Sequence, residues 1–524
     1  MPPAPSRPLL SVLIALIVGL GAVAVVLAVA QSAVFDLDRF AVAKETAFLG
    51  AGLIAMGLMA IRAERIEFGV AEVCLAAFTA WSVVAAALAT NHWLAARSLG
   101  LTLGGLALFF SARFAAERGA RPLLIGLLVL AVVGGGLTGL AQAYGWSSTW
   151  LADTRAPGGT LGNRNFLAHL MVLGIPLAGW LLATASNRVV VGLSGLATSA
   201  MIAAVVLSRS RAAWVGFAAT AVITIVVGAF SRGARPRLPR GRVTALAVAL
   251  LIGAGAALVV PNELEWRSTS PYRDSLRDVL NYREGSGRGR LIQYRNSLEL
   301  VRQHPIFGVG PGNWMVAYPA VTVAGDPSFA AADPIPTNPW PSSDWVALIA
   351  ERGPVGALLW LLWLVTLGIM ALRRVRDPDL GVTALAAIGL LTAVAVQGLF
   401  DAVILLAPPA IIALAGIGAL VPATKPVTAI SLNGRRSRLI LGLVLLLLIF
   451  GTRSAAQLQS ILIAGDGTRV RQLEQAVRWD PGSHRLHLLL AMKAPCPGAR
   501  GHAERAAALL PHHPWPRRLL SRCG

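Results

Sequence analysis

About thirteen long apolar runs divide this sequence, near residues 9–30, 46–61, 69–89, 97–115, 122–143, 163–184, 189–207, 212–230, 243–260, 353–372, 381–400, 403–421 and 438–452. A helix of about 20 residues crosses roughly 30 Å of hydrocarbon, and inside a bilayer the backbone must satisfy its own polar groups, so such runs are read as membrane helices. Of the 524 residues 56% are hydrophobic and only 14% charged, too few polar groups to cover the cores of a soluble chain. A soluble enzyme and a disulfide-stapled secreted scaffold are both excluded. The first run follows only Arg7 and lacks a good cleavage site, so it is expected to stay as a helix and not to be removed as a signal peptide. The expected fold is all-α: a polytopic transmembrane bundle of 12–13 helices over 1–452, a long loop at 261–352 within it, and a small helical tail at 453–524.

The chain carries 46 Lys+Arg against 25 Asp+Glu, a net charge of +21. No basic stripe with interleaved aromatics marks a nucleic-acid partner. The cations sit in short loops, as positive-inside topology requires. Loops with Arg232, Arg235, Arg237, Arg240 and Arg242, with Arg373, Arg374 and Arg376, and with Lys425, Arg435, Arg436 and Arg438 fall on one side when helices are counted. So do those with Arg62 and Arg65, with Arg113, Arg118 and Arg121, and with Arg188, together with the N-terminus. This side is assigned to the cytoplasm. The outside then receives 31–45, 144–162, 208–211, the long loop and everything after 452.

The loop from Pro261 to Arg352 is far longer than an ordinary connector and is expected to be functional. Leu291, Tyr294, Leu298 and Val301 recur at helical spacing and predict an amphipathic helix; Pro305, Gly308, Gly310, Pro311 and Gly312 follow as a turn whose glycines can take positive φ. In the tail, Asp480-Pro481-Gly482 breaks two helices that resemble a degenerate tetratricopeptide pair, expected either to hold a protein partner or to pack on the membrane domain. Cys74 reads as a packing residue, whereas Cys496 and Cys523 lie outside and are candidates to pair. No Cys or His spacing suggests a zinc site.

Asp, Glu and Lys are scarce inside the runs, which argues against an ion-driven transporter. Arg155, Arg164, Arg209, Arg211, Arg288 and Arg290 instead lie on the face that positive-inside topology depletes, and an anionic ligand is the natural reason. A guanidinium at a membrane interface also snorkels to headgroups, so each has a blander alternative.

Four blocks carry a family resemblance: GGTLGNRNFLAHLMVLGIPLAGWLL at 158–182, SRSRAAWVG at 208–216, GRGRLIQYRNSLELVRQHPIFGVGPGNW at 287–314 and SSDWVALIAERGPVGALLW at 342–360. Their order and spacing resemble the O-antigen ligase and polymerase superfamily over roughly 35–420. The resemblance implies a bacterial inner-membrane glycosyltransferase, inverting, without metal or other cofactor. It would take a glycan from undecaprenyl diphosphate to an acceptor hydroxyl, on lipid A core or another glycan, at the periplasmic face. The long loop and tail would then be periplasmic. In the family two arginines hold the diphosphate; they match Arg211 and Arg290, with Arg209 and Arg288 two residues away as substitutes. Asn163 and Asn165 in the GNRN turn are expected to cap a helix or to contact substrate, with Gly308, Gly310 and Gly312 shaping a substrate loop.

One position departs from the family pattern. Where members carry a histidine before the late helix, Ser342 or Ser343 stands here, and serine is no base near neutral pH. Asp344 and Glu351 are the remaining carboxylates of that block and the candidate catalytic residues, although Asp344 also suits a helix N-terminus. His304 reads as a helix end. The alternatives to a ligase are a polymerase, a protein O-oligosaccharyltransferase, and a non-enzymatic lipid-glycan transporter or scaffold.

Overall fold

The computed structural model describes the chain except residues 1–7, 33, 63–64, 152–153, 232–238, 267, 282–283, 324, 331–338, 423–426, 432–436 and 523–524. Arg7, Arg232, Arg235, Arg237, Lys425, Arg435, Arg436 and Cys523 therefore lie outside the described residues.

Nine long helices come first: α1 Pro8–Leu27, α2 Asp36–Arg62, α3 Val70–Ala87, α4 His92–Ala115, α5 Arg121–Ala143, α6 Arg164–Thr184, α7 Arg188–Ser208, α8 Arg211–Phe230 and α9 Arg240–Val259. Short helices α10 Pro271–Arg277, α11 Gly285–Gln303 and α12 Trp314–Ala317 occupy the long loop. Four more long helices follow, α13 Asp344–Leu372, α14 Gly381–Phe400, α15 Ala407–Leu420 and α16 Ser437–Ala464. The tail forms α17 Val470–Trp479, α18 His484–Lys493, α19 Cys496–Leu509 and α20 Pro514–Arg522. Among the described residues eleven helical runs are long and apolar enough to span a membrane, and α15 is a shorter apolar helix. The run His92–Ala143 is two of the anticipated spans, because Arg118 and Gly119 leave helical geometry between α4 and α5. The protein is thus a polytopic helical bundle, as expected.

One apolar core runs through α1–α7 and α13–α15, while α8 and α9 lie at the edge with most of their surface exposed, as suits helices facing lipid. The short strands β1 Arg65–Phe68 and β2 Thr428–Ser431 pair antiparallel, joining two loops assigned to the same side by helix counting. The long loop and the tail share the opposite end, here called the loop face.

Two elements differ from expectation. Helix α2 starts ten residues before the apolar run, so Lys44 and Glu45 lie inside it, both buried. They are tolerated because Lys44 donates to the carbonyls at the end of α1, 2.9 Å to Val26, and Glu45 takes a two-pronged hydrogen bond from Arg97 at 2.6 and 2.9 Å. Helix α11 forms as predicted but buries another face: Leu291 and Leu298 are exposed, whereas Gln293, Asn296, Ser297 and Leu300 are buried. The buried polar groups are matched, with Gln293 donating to Ser328 (2.9 Å), Asn296 to Asp326 (2.8 Å) and Trp314 Nε1 to Ser297 (2.9 Å).

The tail packs on the protein itself. Leu488, Ala491, Ala503, Ala506, Leu510 and Leu519 join Leu300, Trp314 and Tyr318 of the loop in one apolar cluster. Helix α16 passes residue 452 unbroken to Ala464, so the tail grows directly from a membrane helix. Burial holds the imidazoles of His484, His487, His502 and His513 below the ordinary histidine value, His484 at about 3, where Arg485 adds to the effect, and His513 at about 4. Groups neutral when folded, which titrate near 6.5 when unfolded, leave stability intact above that value and reduce it as pH falls toward the folded pKa. Hydrogen exchange in α17–α20, corrected for intrinsic rate, is therefore expected to rise between pH 7.5 and pH 5 more than exchange in the bundle. Equal protection at both pH values would contradict this.

Candidate functional site

A two-residue break between α7 and α8 places two arginines on diverging paths. Arg209 takes the left-handed conformation (φ 54°) that ends α7, and Arg211 opens α8. Arg211 crosses to the long loop, donating from Nη1 to the Asp278 carbonyl and from Nη2 to Ser286 Oγ at 2.7 Å. Arg290 stands on α11, between one and two turns from its start. Arg211, Val215, Gly287, Arg290 and Phe400 line one small pocket on the loop face. The two guanidiniums expected at the anion site therefore share a cavity, brought together by elements some 80 residues apart in the chain.

Beside this pocket lies Asp401, just past the end of α14. Its Oδ2 is approached by Arg290 Nη2 (3.7 Å), His169 Nε2 (3.3 Å) and Asn165 Nδ2 (3.4 Å), and Oδ1 accepts the Ala402 N–H at 2.9 Å. His169, fully buried, meets Gln397 Oε1 through Nδ1 at 2.7 Å. Burial alone would raise the Asp401 pKa; the hydrogen bond and charge of His169 and the charge of Arg290 outweigh it and hold the carboxyl below its ordinary value. An ionised carboxylate thus abuts the arginine pocket.

The two carboxylates anticipated as catalytic are not brought to that pocket. Asp344 is buried beside Asp401, but its oxygens accept the N–H groups of Val403 (2.9 Å) and Ile404 (3.0 Å), and Ser343 is the residue that caps α13. Glu351 is buried against Arg352 (3.4 Å) and accepts the Trp314 N–H at 3.4 Å. Both hold backbone turns. Asp344→Ala leaves two N–H groups without acceptors, a loss of about 2–4 kcal/mol, whereas Asp344→Asn keeps an amide oxygen for one of them. Thermal unfolding of the purified variants is expected to rank wild type, Asn, then Ala. If the carboxylate were instead a proton acceptor, Asn and Ala would be equally inactive while Asn kept its fold.

The remaining predicted residues are placed as follows. Asn163 caps α6, accepting the Asn165 N–H at 3.0 Å, while the Asn165 side chain goes to Asp401. Arg209 donates to Ser275 Oγ at 2.9 Å and lies 4.6 Å over the Trp266 ring, which Arg164 also covers at 5.0 Å. Arg288 is exposed and is not among the residues lining the Arg211–Arg290 pocket; two positions along a helix turn it to another face. Gly308, Gly310 and Gly312 all have positive φ, and the turn they form threads against α13, with Val309 and Gly310 N–H groups on the carbonyls of Ala350 and Glu351 at 2.9 Å.

His169, Gln397 and Asp401 were missed as site residues. A signal existed: Asn165 and His169 on α6, and Gln397 and Asp401 at α14, are polar pairs at i, i+4 within apolar runs, each pair on one helix face. Among the described residues no group of three or more His, Cys, Asp or Glu is arranged to hold a metal ion.

The chain is thus a multi-pass helical membrane protein with paired arginines at a loop-face pocket. Residues 196–361, from α7 into α13, match the family model described as O-antigen ligase, which supports the resemblance to the O-antigen ligase and polymerase superfamily. The match supports a function of the O-antigen ligase or polymerase type. The matched segment contains Arg211 and Arg290; His169 and Asp401 lie outside it. No curated protein matches the chain.

Proposed function

We propose that the protein transfers a glycan from undecaprenyl diphosphate to a hydroxyl of lipid A core at the periplasmic face of the bacterial inner membrane, with inversion and without a metal. The supporting observation is the shared pocket of Arg211 and Arg290 with Asp401 at its edge. As the bond between sugar C1 and the phosphate oxygen breaks, its electron pair goes to the diphosphate, and fixed guanidiniums stabilise that growing charge more than they stabilise the ground state. The acceptor oxygen bonds to C1 from the opposite face, which inverts the centre, and its proton passes to Asp401, kept ionised beforehand by His169 and Arg290. Asp344 acts on this reading as a positioning residue, because it fixes the turn that follows Asp401.

The test is a deletion strain complemented with wild type, Arg211→Ala or Arg290→Ala, in which surface polysaccharide and lipid-linked glycan are both quantified. Long glycan stranded on the lipid carrier is expected in the deletion and in both variants. Single repeat units on the carrier would replace the ligase reading by a polymerase. A normal profile in both variants would remove the diphosphate site and favour a transporter or scaffold.

A further inference from the structure

A second pocket lies where the tail meets the bundle. Its walls include Trp93 at the start of α4, Trp340 of the long loop, Asp38 of α2, Arg453 of α16, and Asp480 and His484 of the tail. Ion pairs knit these walls together: Arg453 with Asp480 at 2.5 Å, Arg485 with Asp38 at 2.7 Å and Arg97 with Glu45 at 2.6 Å. Three arginines and two carboxylates line the pocket, and Glu45 pairs with Arg97 from outside it, which leaves the site close to neutral. Yet the pairing is incomplete. Arg453 uses only Nη2, while its Nε and Nη1 are buried with no hydrogen-bond partner among the described residues, and the same holds for Nε2 of the nearly inaccessible His484. Buried polar nitrogens are almost always matched, so three unmatched ones around one pocket mark a place where a polar ligand supplies the missing partners.

The pocket shares Trp340 with a cavity that borders the segments carrying Asn165 and Asp401. Trp340 lines that cavity with Phe166 and Leu406, and its ring centroid lies 6.4 Å from that of Phe166. Phe166 follows Asn165, and Leu406 lies on the short turn after Asp401.

We propose that the tail pocket is a saccharide-binding subsite that holds a stretch of neutral glycan several sugars away from the reacting bond, a reading that rests on the glycan transfer proposed above. Sugar rings present apolar C–H faces and a rim of hydroxyls that both donate and accept. The Trp340 indole suits a face, the Trp93 ring being covered by Arg453 at 4.8 Å; Arg453 and His484 suit the acceptors of the rim, and Asp38 and Asp480 its donors. A near-neutral wall disfavours phosphate. Peptides are held by sheet edges or apolar helix grooves, and no such feature lines this pocket among the described residues. The tail would then serve to grip the glycan, which gives its packing on the loop a purpose.

The experiment uses the full-length protein in phosphatidylethanolamine–phosphatidylglycerol nanodiscs. The probe is a set of oligosaccharides of about two to ten sugars, spanning short and long stretches of the glycan, released by mild acid from the producing cell's surface polysaccharide and free of lipid and diphosphate. Binding is read by saturation-transfer NMR and titration. Wild type is expected to bind, and an Arg211→Ala, Arg290→Ala double variant to bind equally, because the probe carries no diphosphate. Trp340→Ala and Arg453→Gln are each expected to weaken binding about tenfold, one by loss of an aromatic face and the other of a charged donor. Trp340 makes no ion pair, so its variant tests the pocket even if Arg453→Gln lowers the unfolding temperature. Absence of binding in wild type, or unchanged binding in Trp340→Ala, overturns the subsite; so does binding of mixed tryptic peptides without any oligosaccharide binding. A failed diphosphate site would show instead as normal surface polysaccharide in the arginine variants, with oligosaccharide binding untouched.

Discussion

Arg290→Ala is expected to lower the rate of glycan transfer by about 10²–10³-fold while the protein still folds, the range found when one preorganised donor to a developing negative charge is removed. The side chain is 18% exposed and its one ion pair, to Asp401, is long at 3.7 Å, so little packing depends on it. Arg211→Ala should cost a similar factor, because its guanidinium is held by the Asp278 carbonyl and Ser286 in a fixed pose at the same pocket. The double variant is expected to lose less than the product of the two, since both act on one leaving group. Arg290→Lys should recover part of the rate and Arg290→Gln almost none, because charge and not hydrogen bonding alone stabilises the diphosphate. Single-turnover assays with purified lipid-linked donor measure this directly; a loss confined to KM would mean that the arginines bind the ground state only.

Gly353→Val is expected to abolish folded protein. Gly353 interrupts α13 with φ 68° and ψ 175°, and a Cβ there would lie 1.9 Å from the Ile306 carbonyl oxygen. Side chains disfavour that conformation, and the clash cannot relax because Ile306 belongs to the turn whose Val309 and Gly310 N–H groups are bonded to α13. Strain and overlap together are expected to exceed about 3 kcal/mol, a large share of the stability of a typical domain. Gly119→Ala is the matched control: φ is 91°, but nothing lies within 4 Å of the added Cβ, so only the conformational cost of about 1–2 kcal/mol remains. Folded yield by size-exclusion chromatography should fall sharply for the first and modestly for the second. Equal yields would mean that the α13 break is not under steric control.

The apolar runs at 9–30 through 438–452 each correspond to a long helix or to the shorter α15, because chain length and hydropathy alone decide whether a segment can satisfy its backbone inside a bilayer. Helix starts were less legible. Lys44 and Glu45 read as loop by composition, yet carbonyls at the end of α1 and the fork of Arg97 let them enter α2. Local pattern misassigned the face of α11 for a related reason: its buried side is polar, and the partners that make this tolerable, Asp326 and Ser328, lie about thirty residues away.

The site divides in the same way. Topology and charge, properties of order along the chain, single out six arginines including Arg211 and Arg290, and the family resemblance of their motifs selects these two. That they line one pocket, that Asp401 abuts it, and that His169 rather than a histidine near residue 342 supports that carboxylate were decided by tertiary structure alone. Asp344 and Asp401 are both acids at the ends of membrane helices, and nothing local separates them. What separates them is which donors the fold aims at each: two backbone N–H groups consume the oxygens of Asp344, whereas Asp401 faces the side chains of His169, Asn165 and Arg290. Hydrogen-bond partners brought from distant helices set the role of a carboxylate, and only the folded packing of α6, α11, α13 and α14 supplies them.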